Sequence, residues 1–330
     1  MKPKTPSLLT VLLLALAAPG PGAAVQPVRV EGSSAGLAIS QAAADEFQHS
    51  HATVKVDIGL SGSGGALGRL CRGDVDLVHS ARPIVKTEID ACRTSDVQFI
   101  ELPLAFDAVT VVVNRKNGFV ESLTLAELRT MWDVAARGKV VRWSQVNARF
   151  PDAPLKLFAP DWQFESSSYF ASVLFGPGRS ARSDVMSSVD DNLLVQGVAR
   201  DVNTLSYVSM ATYLDNRAKL RAVPIAPSAG AETVAPSPET IASGQYRPLS
   251  RPIFLYVNVR ALVRPEAAAF SEYYIANAAR LARSARYVPL ADSTYRTGQE
   301  RLRRRIAGSV WGGAVPIGLT VEELQKRSAL

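Results

Sequence analysis

Strands that alternate with helices, each pair joined through a glycine- and serine-rich turn, predict an α/β fold on mainly parallel sheets. Three stretches carry that reading. Val28–Val30 is a short apolar strand, followed by Glu31-Gly32-Ser33-Ser34-Ala35-Gly36, and then Leu37, Ile39, Ala43, Ala44 and Phe47 recur at helical spacing. The arrangement repeats with Val54–Ile58, then Leu60-Ser61-Gly62-Ser63-Gly64-Gly65, then a helix through Ala66, Leu67, Leu70 and Cys71. Val75–Val78 is the third strand and runs into a loop with Ser80 and Arg82. In open sheets of this type ligands bind beyond the carboxyl ends of the strands. Those ends carry Ser33, Ser34, Ser63 and Ser80.

The remaining elements follow in order. Val109–Val113 is a strongly buried strand. "LTLAELRTMWDVAARG" is a helix, with Thr124 as N-cap and Glu127 three residues on, the pattern of a capping box. "LKLFAPD" is a strand that leads through Pro160, Asp161 and Trp162 into a helix beginning near Ser166. A further helix starts after Ser188, "TLSYVSM" is a short strand, and residues 227–250 are loop-rich in Pro, Ser and Gly. "RPIFLYVNV" is a second strong strand, and the tail from Glu266 is helical and Arg-rich.

With 330 residues the chain is long enough for two lobes with cores of their own. Hydrophobic residues make up 47% and charged ones 20%, which excludes a disordered chain. At the N-terminus Lys2 and Lys4 precede the apolar run Leu8–Ala18 and the small-residue stretch Pro19–Ala24. That order is an export signal of residues 1–24, too short to span a membrane, which needs about 20 apolar residues. The mature chain is expected to be periplasmic or secreted, monomeric and not membrane-spanning. Its removal takes two of the 37 basic side chains, against 30 acidic ones, and leaves a charge near +5. Such a field helps attract small anions without proving that they bind.

Two cysteines occur, Cys71 and Cys92. An even pair in an exported chain reads as one disulfide; two free buried thiols are the alternative. Two cysteines are too few for a metal site, and no metal or cofactor is expected.

Several stretches together resemble the substrate-binding proteins of ABC phosphate-uptake systems, a branch of the type II periplasmic binding proteins. They are "EGSSAG", "LSGSGGALGRLCRGDVDLVHSARPI", "ELPLAFDAVTVVVNRKN", "LTLAELRTMW", "DDNLLVQGV" and "YRPLSRPIFLYVN". The resemblance implies a two-lobe clamp. Lobe 1 would be discontinuous, residues 25–112 and 253–330, and lobe 2 would be 113–252, with Val109–Val113 and Ile253–Val257 as crossing strands. It also implies phosphate or another small oxyanion as ligand in the cleft, and permease subunits as partners.

On those terms Ser33 and Ser34 head the first helix, where free N–H groups and the dipole favour an anion. Ser63, with Gly64, heads the second. Ser80 and Arg82 match the family's Ser-x-Arg-Pro loop, and an arginine there can grip an oxyanion bidentately. The bland readings are that these serines are N-caps and that Arg82 is an ion-pair residue. Asp107 is expected to order the hinge.

The chain departs from the family at the second-lobe loop. Where Ser-Gly-Thr is usual, Phe164-Glu165-Ser166 stands, and Ala35 replaces a threonine. A carboxylate is stabilised at a helix start by about 0.3–1 kcal/mol. About 5 Å from a phosphate it is repelled by roughly 3 kcal/mol per unit charge at an effective dielectric near 20. Phosphate binding in the usual mode therefore needs Glu165 turned away, protonated or paired with Arg82. Alternatively Glu165 accepts the proton of hydrogenphosphate. The competing function is a sensor or scaffold that keeps the clamp but has lost or changed its ligand.

Other classes find little support. No GxSxG, HExxH or paired-carboxylate pattern stands out, and His79, beside Ser80 on a strand, points to the opposite face. "RLRRR" at 301–305 lacks aromatic interleaving and reads as a solvated helix face rather than a nucleic-acid site.

Overall fold

The structure is a computed structural model and describes residues 26–162, 164–314 and 317–328. The expected export signal, residues 1–24, lies outside the described residues.

The first half of the chain runs β1 (Val28–Gly32), α1 (Ser34–Ser50), β2 (Val56–Leu60), α2 (Gly62–Arg72), β3 (Leu77–Ser80), α3 (Lys86–Thr94) and β4 (Phe99–Asn114). Next come β5 (Leu123–Thr124), α4 (Leu125–Trp132), β6 (Lys156–Pro160), α5 (Glu165–Phe175), β7 (Met186–Ser188), α6 (Asp191–Arg200), β8 (Thr204–Ser209) and α7 (Met210–Asn216). The chain continues through β9 (Leu220–Ala222), β10 (Ile225–Ala226), α8 (Pro238–Ala242), β11 (Ser250–Asn258), α9 (Pro265–Ser284), β12 (Val288–Pro289), α10 (Asp292–Arg303) and α11 (Val321–Ser328).

One sheet runs through the molecule in the order β2-β1-β3-β11-β4-β8-β6-β7, with β9 and β12 also on β4. Its two ends are parallel, as the strand–turn–helix repeat predicts: β2-β1-β3 on one side and β8-β6-β7 on the other. Its centre is antiparallel, because β4 and β11 return against their neighbours rather than following a crossover helix. β4 is buried along all 16 residues, which is why it reads as a continuous apolar run. Its first part pairs with β11 and its last with β8 and β9, so the two halves of the fold share this strand.

Two strands begin two residues later than the sequence pattern implies. Val54 is held in a turn by its N–H to the His51 carbonyl. Asp76 lies ahead of β3, where its side chain accepts from the Arg29 N–H and pairs with Arg264. The Thr124 cap forms as expected: its hydroxyl accepts from the Glu127 N–H and Glu127 returns the bond.

Cys71, near the end of α2, is bonded to Cys92 in α3. This staple holds together the helices that flank the Ser80–Arg82 loop. No described helix is long and apolar enough to cross a membrane.

Candidate ligand-binding site

The heads of α1 and α2 lie beside the end of β3, because β1 pairs with both β2 and β3. The turn into α1 is tight. Its carboxyl-end residue Gly32 and the helical Gly36 both face His79, and a Cβ at either position would fall within 3 Å of it. His79 is fully buried. The Ser33 carbonyl can only accept, so His79 Nε2 carries the hydrogen and donates to it at 3.0 Å. Nδ1 then accepts from Ser40 Oγ at 3.0 Å, and Tyr274 closes the chain on Ser40 at 2.7 Å. Burial pulls the His79 pKa down to about 4, so the ring is neutral near pH 7 and serves as a brace.

Ser33 precedes α1, yet its side chain makes no capping bond, and its buried Oγ has no partner among the described residues. Ser34 is half-buried in the first turn. Ser63 Oγ accepts from the Ala81 N–H at 2.9 Å, tying α2 to the loop after β3. Ser80 Oγ is spent within that loop: it donates to the Arg82 carbonyl and accepts from the Arg82 N–H.

Arg82 is paired, but not with Glu165. Glu88, in the first turn of α3, takes both Nη atoms at 2.9 and 2.7 Å, while its carboxylate also accepts from the Val85 N–H. Burial costs the guanidinium, yet the bonds and charge of Glu88, with the charge of Glu165, hold its pKa above the ordinary arginine value. Gly64 packs on this pair: a Cβ there would stand 3.5 Å from Arg82 Nη2.

Glu165 is the first residue of α5, in the other half of the sheet, and reaches across to α2. Its Oε1 accepts from the Ser63 N–H at 2.6 Å. Its Oε2 is buried without a partner among the described residues. Ser166, half-buried, follows in the same turn.

A cavity of about 160 Å³ opens between these elements, walled by Arg82, Glu165, Ser168, Tyr169, Ser172 and Arg251 among others. The structure thus brings Ser63, Gly64, Arg82 and Glu165 to one place. Of the predicted site residues only Arg82 and Glu165 wall this cavity; Ser63 and Gly64 touch those two from the head of α2, and Ser33, Ser34, Ser80 and Ser166 sit on the flanking turns.

Arg251 and Tyr169 escaped the sequence reading. Arg251 pairs with Asp107 of β4, and both are almost fully buried. Burial raises the Asp107 carboxyl against the pull of Arg251. The signal was legible: "LAFDAVTVV" and "SRPIFLYV", stretches of the two most apolar strands, each carry one charge, of opposite sign.

A family model described as a PBP superfamily domain matches residues 17–278. The chain belongs to the PBP superfamily. This PBP chain is similar to Protein SphX of Synechocystis sp., 37% identical over 322 residues that cover 97% of this chain and 95% of that one. It is also similar to Phosphate-binding protein PstS of Staphylococcus aureus, 27% identical over 276 residues, 83% of this chain and 81% of that one. A solved structure described as a possible phosphate binding protein from Planctomyces limnophilus superposes with a TM-score of 0.71 at 36% identity, over 86% of this chain and 99% of that one. An ABC-type phosphate transport receptor from Vibrio cholerae shares the fold, with a TM-score of 0.63 at 19% identity, over 79% and 99% of the two chains. The PBP fold here is the two-lobe type II clamp, a binding-protein architecture.

Proposed function

We propose that the mature protein is an extracytoplasmic receptor that binds phosphate or a related tetrahedral oxyanion between its lobes and presents it to the permease of an ABC importer. Similarity to proteins named for phosphate binding supports the ligand class. The observation that carries the reading is the bond from the Ser63 N–H to the Glu165 carboxylate. The head of α2 offers an N–H that no helical carbonyl takes, at the positive end of the dipole, and a carboxyl group already occupies it.

The same bond gives a second reading a footing. Arg82 is matched by Glu88 and Arg251 by Asp107, so among the described residues Glu165 is a carboxylate of the cavity wall with no ion pair of its own. A phosphate must displace it or tolerate it. A sensor or scaffold that closes on its own glutamate, with a changed ligand or none, is therefore the rival. Calorimetric titration of the mature protein with phosphate and sulfate separates them. The receptor reading expects a saturable 1:1 isotherm for phosphate. Heat of dilution alone, for both ions, leaves the rival standing.

A further inference from the structure

Arg82, the arginine that sequence singles out, is committed to Glu88 through both Nη atoms. Arg251 is only half committed. It stands on β11 opposite Asp107 of β4, with the two residues in register. Its Nε and Nη2 both go to Asp107 Oδ2, at 3.3 and 3.1 Å. Its Nη1 is buried and has no acceptor among the described residues. A guanidinium is a fork of five donors, and a buried donor left unpaired carries a desolvation penalty, so an empty position needs a reason.

The surroundings supply one. Arg251 walls the same cavity as Arg82 and Glu165. The ring of Tyr169 covers one side of the guanidinium, 5.4 Å from centroid to Cζ, and the Tyr169 hydroxyl is pinned to the carbonyls of Pro248 and Ser250. Asp107 closes another side, and is itself held by the N–H groups of Ala108 and Met210. Tyr287, which donates to the Ala35 carbonyl in the first turn of α1, feels the charges of both Asp107 and Arg251. Ser33, with its unpartnered hydroxyl, heads that turn.

We propose that Arg251 is the cationic anchor of the ligand, its Nη1 donating to one oxygen of a tetrahedral oxyanion seated in the cavity that Arg251 walls together with Arg82 and Glu165. This rests on the receptor reading above. It moves the positive contact from the Arg82 loop to β11, beside the shared strand β4. Asp107 then has two tasks: it orients the fork, and it neutralises the guanidinium when the cavity holds no ligand.

Three proteins test this, each titrated with inorganic phosphate by calorimetry and by thermal melting: wild type, Arg251→Lys and Asp107→Asn. Lysine keeps the charge beside Asp107 but cannot serve carboxylate and ligand in a fork. Its phosphate affinity should fall ten- to hundredfold, the loss expected for one charge-assisted hydrogen bond. Asp107→Asn leaves Arg251 uncompensated, so bound phosphate becomes its counter-charge. Phosphate should then raise the melting temperature by more than it does in wild type. A merely structural pair would not do this, since both variants would lose stability without gaining a larger response to phosphate. Binding by Arg251→Lys within twofold of wild type overturns the anchor and leaves the receptor reading intact. Should that variant fail to fold, an Asp107→Asn shift no larger than wild type overturns it instead. No phosphate binding by wild type overturns the receptor reading and the anchor with it.

Discussion

At the scale of single residues, the informative change is Glu165. The resemblance places it in the second-lobe loop, so the sequence shows that a carboxylate stands where the family has glycine. What sequence does not show is its partner. Pairing with Arg82 is the natural electrostatic expectation, and it fails because Glu88, six residues on and in the first turn of α3, reaches the same guanidinium with both oxygens. A local carboxylate on a rigid turn outcompetes one delivered from across a cleft. Glu165→Gln keeps an oxygen for the Ser63 N–H and removes the charge. We expect it to tighten phosphate and sulfate binding by about a hundredfold, the equivalent of roughly 3 kcal/mol of repulsion removed. Calorimetry on both proteins reads this directly, and unchanged affinity would show that Glu165 does not meet the ligand. Thr124 is the opposite case, a residue whose role was fully legible because a capping box is local. Thr124→Ala should cost about 1 kcal/mol in urea unfolding and leave ligand binding alone.

At the scale of elements, α3 and α7 went unread and α8 falls in a stretch read as loop, but the order of the longer strands and helices was legible, since it depends on period and on turn residues. The antiparallel centre was not, since it depends on which distant strands meet. His79 shows the same limit. Its position on β3 was clear, but its burial beneath Gly32 and Gly36 arises from how β1, β3 and α1 stack. That burial has a pH signature. The folded state holds His79 neutral down to about pH 4, whereas the unfolded chain takes up its proton near 6.5. Between those values the unfolded state binds more protons, so stability is full above pH 6.5 and declines as pH falls toward 4. The decline should amount to about 3 kcal/mol for this residue alone. Equilibrium unfolding of wild type and His79→Gln from pH 7 to 4 checks it: the variant should be less stable at pH 7 and should have a flatter profile. Gly36→Ala drives a methyl to 2.6 Å from the His79 ring and should destabilise by about 1–3 kcal/mol.

At the scale of the whole molecule, the two halves are joined by β4 and β11 and touch again where Glu165 meets Ser63. The expectation of two halves was drawn from two strongly apolar strands separated by a full α/β set, together with the family resemblance. The second contact was not, because it spans 102 residues of chain and one cleft. It leads us to expect a compact protein even without ligand. Small-angle scattering of wild type should change little on adding phosphate, whereas Glu165→Ala should be more extended alone and contract with phosphate. Identical profiles for the two ligand-free proteins would show that this bond does not hold the cleft. The disulfide acts elsewhere. Cys71 and Cys92 close a loop of 21 residues, and replacing both by serine should cost about 3 kcal/mol of stability while leaving phosphate affinity nearly unchanged.

Glu165 also sets the concentration at which such a receptor responds. A carboxylate carried on the protein cannot be washed away or outnumbered by dilution. Its effective concentration at the head of α2 is fixed by the fold, on the order of millimolar for a short tether. If the self-occupied form is favoured a hundredfold over the vacant one, the apparent dissociation constant for any external anion rises by about the same factor. Traces of phosphate would then leave the cleft as it is, and only an abundant supply would displace the glutamate. Under that condition the chain would act as a threshold detector for plenty rather than a scavenger for scarcity.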